Sequence, residues 1–206
     1  MNAGLGALLA ELEEFGRAND ASTRERSRRM LNITRDTGAF LSFLVRACGA
    51  RRILEAGTSN GYSTLWLAEA AEAVDGRVVT VEASAAKVAL AWRTFERSGL
   101  AHRIELVHSD AGRFLGAAAD GAFDLVFLDS ERSEYVRWWP DVERVLRRGG
   151  VLVVDNATSH AEELAEFVRL VSSGPEFVSV VVPVGKGELV ATHTDAALAR
   201  RPRRGP

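Results

Sequence analysis

Five short, dominantly apolar runs recur along this chain: Arg52-Ile53-Leu54, Val78 to Val81, Ile104 to Val107, Leu125 to Leu128 and Val151 to Val154. A strand with one wet face alternates polar and apolar residues, so continuous runs mark strands covered on both faces. Between the runs lie segments with helical spacing, such as Ser84–Gly99 and Ser133–Arg147. Strand–helix–strand units of this kind close through right-handed crossovers, which predicts a parallel, doubly wound α/β sheet. Towards the end, Phe177–Val184 and Glu188–Thr192 flank Gly185-Lys186-Gly187. A short glycine-bearing loop between two apolar runs predicts a hairpin, so the last two strands are expected to be antiparallel. Residues 1–48 read as two or three helices packed on the same domain, 49–195 as the core, and 196–206 as a disordered tail containing Arg200-Arg201-Pro202-Arg203-Arg204. No internal repeat is visible, and 206 residues suit a single domain.

Composition excludes several partners. A formal net charge of -2 gives no electrostatic basis for nucleic-acid or membrane-surface binding, and the basic tail is too short to supply one. Cys48 is the single cysteine, so there is no internal disulfide framework. The first residues lack the basic start and apolar run of a signal peptide, and no stretch approaches the roughly 18 apolar residues of a membrane span. A soluble, cytoplasmic protein acting on a small molecule is expected.

Chemistry begins after the first run, at Glu55-Ala56-Gly57-Thr58-Ser59-Asn60-Gly61-Tyr62-Ser63. Gly57 and Gly61 allow a sharp turn and close approach to a ligand, and the following helix N-terminus offers free N–H groups to a carboxylate. The spacing is neither the dinucleotide fingerprint nor a phosphate loop. Glu82 ends the second run, 25 residues beyond Gly57. In wound folds an acidic residue about 20 residues on accepts from both ribose hydroxyls. Together these favour nucleoside binding over a solvated strand-end carboxylate. Asp110, after the third run, suits an acceptor near an adenine amino group and equally well a helix N-cap before Ala111.

At this point a resemblance becomes specific. Arg29 to Thr34 and Gly38, Leu54 to Ser63, Phe123 to Asp129 with Tyr135, and Gly149-Gly150-Val151 through Asp155-Asn156 resemble, in that order, the catechol and caffeoyl-CoA type O-methyltransferases. The resemblance covers about residues 24–193. It implies a seven-stranded, Rossmann-like methyltransferase sheet with the last strand antiparallel, and S-adenosylmethionine as methyl donor. It places Glu55, Gly57, Thr58, Gly61 and Ser63 around the methionine end with Ile33 nearby. It puts Glu82 at the ribose, Asp110-Ala111 at the adenine, and Asp129 beside both cofactor and acceptor. It also implies a divalent metal, Mg2+ or similar, on Asp129, Asp155 and Asn156. Hard oxygen donors at neighbouring strand ends suit such an ion, and a chelated vicinal diol would ionise more readily than a free phenol. Strand-end carboxylates capping the following turns are the plainer alternative.

One position departs from the family. Arg132 stands where the best-known relatives carry a lysine, and arginine cannot serve as a base. Asp129 and Arg132 are the expected catalytic pair, with Arg132 orienting a phenolate or gripping an acidic substrate group. It could instead be a surface arginine. His160 is a substitute base or a solvent-facing helix-start residue. Trp138 and Trp139 could line a pocket or a homodimer face, but their spacing with Val142 and Val145 fits packing. Three functions stay open: metal-assisted O-methyltransfer to a catechol-like or vicinal diol, metal-independent methyl transfer, and cofactor binding without turnover.

Overall fold

The computed structural model describes residues 2–194, so the expected disordered tail lies outside the described residues. Two helices, α1 (Ala3–Ser22) and α2 (Arg35–Cys48), precede β1 (Arg52–Ala56). The chain then alternates through α3 (Tyr62–Ala73), β2 (Arg77–Glu82), α4 (Ala85–Ser98), β3 (Ile104–His108), α5 (Ala111–Ala117) and β4 (Phe123–Leu128). It continues through α6 (Tyr135–Val145), β5 (Leu146–Val154), α7 (Ala161–Ser173), β6 (Phe177–Val182) and β7 (Glu188–His193). The sheet has seven strands in the order β3-β2-β1-β4-β5-β7-β6. The first five strands pair in parallel, and β7 lies between β5 and β6, antiparallel to both.

The continuous apolar runs are explained by what covers them. Ile53, Leu125, Phe127, Val151 and Val153 face one core layer with α1 to α4. Leu54, Ala56, Val126, Leu128, Leu152 and Val154 face the other, with α5 to α7. Both faces of every central strand are therefore dry. Within the second layer Trp139 packs edge-on against Phe167 and close to Phe177, so it is a packing residue.

Helix limits follow local chemistry. Ser84 caps α4 by accepting from Lys87 N, and Gly99 ends it in the left-handed region. The expected Ser133–Arg147 helix is shorter than the spacing suggested, and β5 starts at Leu146 rather than Val151. A register shift between Phe123 and Leu125, with Gly149 at φ 71, admits this early start. The shift has a function. Asp124 accepts from Arg51 N at 2.9 Å, Arg52 N at 2.7 Å and Arg147 Nε at 2.5 Å. Burial pushes its carboxyl up, but the Arg52 N–H, the Arg147 guanidinium and the Arg51 N–H outweigh that and hold it below the ordinary range. One side chain thus ties the starts of β1, β4 and β5 together. Asp124→Ala strands two backbone donors, and is expected to lower unfolding stability by about 1.5–3 kcal/mol in urea titration. An unchanged midpoint would contradict this role.

Candidate functional site

With β1 and β4 adjacent at the centre of the strand order, their connections leave to opposite faces of the sheet, and a crevice opens at their carboxyl ends. Gly57 sits at its base. A Cβ there would lie 2.1 Å from the Asp129 carbonyl oxygen, and its φ is 103, so only glycine lets the two strand ends pass this closely. Backbone bonds fix the crossing: Gly57 N donates to Val81 O and Asp129 N to Ala56 O, both at 3.0 Å. Gly61, at φ 86, packs its bare Cα against Phe95 and turns the chain into α3.

Glu82 closes the other side. Its Oε2 accepts from Ser59 N at 2.9 Å and its Oε1 from Ser84 N at 2.8 Å, which locks the carboxylate in one orientation. Asp110 caps α5 through Arg113 N at 2.8 Å. Over the loop lies the segment before α2. Asp20 accepts from Met30 N and Leu31 N at 2.6 and 2.9 Å, and Ser59 Oγ donates to Met30 O at 2.7 Å.

These parts enclose a cavity of about 730 Å3. Of the expected site residues, Ile33, Gly57, Thr58, Ser63, Glu82, Asp110, Ala111, Asp129, Arg132 and Asn156 line it. Glu55, Gly61 and Asp155 stand behind the lining. Glu55 is fully buried, with Oε2 accepting from Thr80 Oγ1 at 2.6 Å and from Thr64 Oγ1. Burial pushes its carboxyl up to about 7. Its role in this structure is to brace the loop from beneath. Trp138, read as packing, is buried and also lines the cavity.

At the far end of the cavity Asp129 and Asp155 lie near enough for their charges to interact. Asp129 is half-buried, and desolvation followed by the charge of Asp155 holds its carboxyl well above the ordinary range. Asp155 Oδ2 accepts from Asn156 Nδ2 at 2.7 Å, while its buried Oδ1 has no partner. Asn156, at φ 70, turns its amide oxygen to Ser159 Oγ at 3.2 Å. The sequence reading missed Glu188. It is fully buried, accepts from Thr37 Oγ1 at 2.9 Å, and is pushed up to about 9 by burial and then by Asp155. Asp155 Oδ1 and Glu188 Oε2 are buried without a geometric partner, and such hard oxygens are compatible with a divalent cation or with a proton shared between the carboxyls.

Arg132 is no surface residue. Only 7% exposed, it donates from Nε to Glu163 Oε2 at 2.7 Å. His160 sits at the N-cap of α7, half-buried and lining the cavity rather than facing bulk water. Burial first, then the Arg132 charge, holds its ring below the ordinary histidine value. Lys186 and Arg26, also missed, complete this wall. The signal available for Lys186 was its place between two hairpin glycines, a position fixed enough to present a side chain.

Comparison with known proteins identifies the family and the fold. A family model described as O-methyltransferase matches residues 6–173. The chain is similar to a catechol O-methyltransferase of Mycobacterium tuberculosis, 40% identical over 149 residues, covering 72% of this chain and 66% of that protein. It is similar to a catechol O-methyltransferase of Niastella koreensis, 31% identical over 139 residues, covering 66% and 62%. The chain thus spans slightly less than two thirds of the length of these curated relatives. Its fold is similar to that of an O-methyltransferase from Bacillus cereus in complex with SAH, with TM-score 0.75, 26% identity and 91% of each chain covered.

The buried Glu55 carries a pH signature. Its folded value of about 7 exceeds the ordinary 4.5, so the fold prefers the protonated form. Ionising it costs stability that is absent below pH 4.5 and grows as pH rises through about 7, reaching at most roughly 3 kcal/mol. Glu55→Gln is therefore expected to gain stability relative to the natural chain between pH 5 and pH 8, as read by denaturant titration at both. A stability difference independent of pH would contradict the assignment.

Proposed function

This chain belongs to the O-methyltransferase family, and on that premise we propose that it transfers the methyl group of S-adenosylmethionine to one hydroxyl of a catechol-like or vicinal diol, assisted by a divalent cation. A single observation carries the reading: one cavity joins a nucleoside-type loop, with Glu82 and Asp110, to the hard-oxygen cluster of Asp129 and Asn156. In this reading Glu82, its orientation fixed by two backbone N–H groups, still has lone pairs for two ribose hydroxyls. Asp110, with one oxygen spent on its cap, turns the other to the adenine amine. The N-terminus of α3 and the Gly57–Ser63 loop receive the methionine end, with Ile33 above. Asp129, Asp155 and Asn156 would hold the cation, which when bound supplies Lewis acidity toward a chelated diol. Glu188 supports that cluster from behind.

Arg132 orients and cannot deprotonate. The proton of the reacting hydroxyl passes instead to His160, the imidazole in the lining, whose ring its burial and then Arg132 hold below the ordinary histidine value. Trp138 and the segment over Met30 exclude water from the transfer.

Three outcomes are expected. Glu82→Ala weakens binding of the demethylated cofactor by about 1–3 kcal/mol in calorimetry, and unchanged affinity removes Glu82 from the site. Methylation of a catechol stops in excess chelator and returns with Mg2+ or Mn2+, whereas full activity in chelator favours metal-independent transfer. His160→Gln lowers kcat by about a hundredfold with a smaller change in KM, and an unaltered pH–rate profile contradicts its role.

A further inference from the structure

We propose that the acceptor carries an anionic group, a carboxylate, and that Arg132, Lys186 and Arg26 form the subsite that holds it. This rests on the methyl-transfer reading for the position of the acceptor. The geometry of Arg132 is the starting point. Its side chain is 7% exposed, its Nε is engaged by Glu163, and its Nη1 and Nη2 donate to no described residue although the side chain lines the cavity. A guanidinium held by Glu163 through Nε, with Nη1 and Nη2 left to the cavity, presents a planar edge that an anion of matching shape can accept from. A carboxylate has that shape.

Two further cations reach the same wall from separate parts of the chain. Lys186 lies between Gly185 and Gly187, both at positive φ. The loop is fixed because a Cβ at either glycine would collide with threonines, Thr37 and Thr34 at the first and Thr158 at the second. It is also pinned by Thr158 N and Ser159 N, which donate to Lys186 O at 3.2 and 2.9 Å. Arg26 lies on the short turn Arg26–Arg28 ahead of Met30, and its charge reaches His160 and Glu163. The anionic groups facing them are already committed. Glu163 takes the Arg132 Nε, Glu134 takes Arg137, and Asp129 belongs to the proposed cation cluster. Glu131 accepts from Ser133 and is the remaining acid of this wall. With Arg132 offset by Glu163, Lys186 and Arg26 face the one uncommitted carboxylate of Glu131, which leaves the acceptor end positive. The methionine carboxylate of the cofactor is not the intended partner, because the α3 N-terminus and glycine loop receive it on the other side of Asp129.

The test is calorimetry at saturating demethylated cofactor with 3,4-dihydroxybenzoate, its neutral amide, and benzoate, which has the anion without the diol. The acid is expected to bind about tenfold or more tighter than the amide, the scale of one charge-assisted pair. Lys186→Ala and Arg26→Ala are each expected to shrink that ratio toward one. These two variants keep the test decisive should Arg132→Gln fail to fold. Equal binding of acid and amide overturns the anion subsite and leaves the diol reading standing. Acid and benzoate binding alike, with no amide binding, keeps the subsite and overturns the diol. Failure of both acid and benzoate to bind overturns the subsite itself, as does a ratio unmoved in both variants.

Discussion

The near-contact of Gly57 with the carbonyl of Asp129 organises everything above the sheet. With no Cβ at 57, the carboxyl ends of β1 and β4 can run side by side and then part, which opens the crevice at the topological switch. The same contact fixes Asp129 directly across from the glycine loop. Under the proposed function, a reacting centre placed there is flanked by the glycine loop on one side and by the oxygens of Asp129 and Asn156 on the other. Larger side chains at 57 would push these halves apart, and proximity in methyl transfer depends on separations finer than one ångström.

A second constraint follows from how dry the sheet is. Glu55, Asp155 and Glu188 are buried, and Asp129 is half-buried beside them. Like charges in low dielectric cannot all ionise without a counterion, so protons or a cation must balance them. Burial and then Asp155 push the Glu188 carboxyl up to about 9, which favours its neutral form and relieves repulsion next to Asp155. A pocket that stores carboxylates in this way is costly for folding and useful for ligand binding, which is the pattern expected where function overrides local stability.

Much of this was legible in the sequence because it is local. The glycine loop, Glu82 and Asp110 follow their strands directly, and the continuous apolar runs encode a sheet covered on both faces. The hairpin also followed from its glycines. What escaped depends on pairing across the chain. Glu188 meets Asp155 only because β7 runs antiparallel to β5 with Leu189 opposite Val154, and no local pattern states that register. Arg132 was expected in the site, but its burial against Glu163 has no local signal, because that partner lies 31 residues on. The early start of β5 escaped because Arg147 reads as a helix-end cation until its bond to Asp124 is seen.

Transfer of an isotopically labelled methyl group from S-adenosylmethionine tests the central claim most directly. The natural chain is incubated with the labelled donor, Mg2+ and 3,4-dihydroxybenzoate, and the product is identified by mass spectrometry. Chelation of a vicinal diol at Asp129 and Asn156 requires the label on a ring oxygen of that acceptor and little on 4-hydroxybenzoate, which lacks the second hydroxyl. Equal labelling of both acceptors, or label on the carboxylate instead of a ring oxygen, would contradict it.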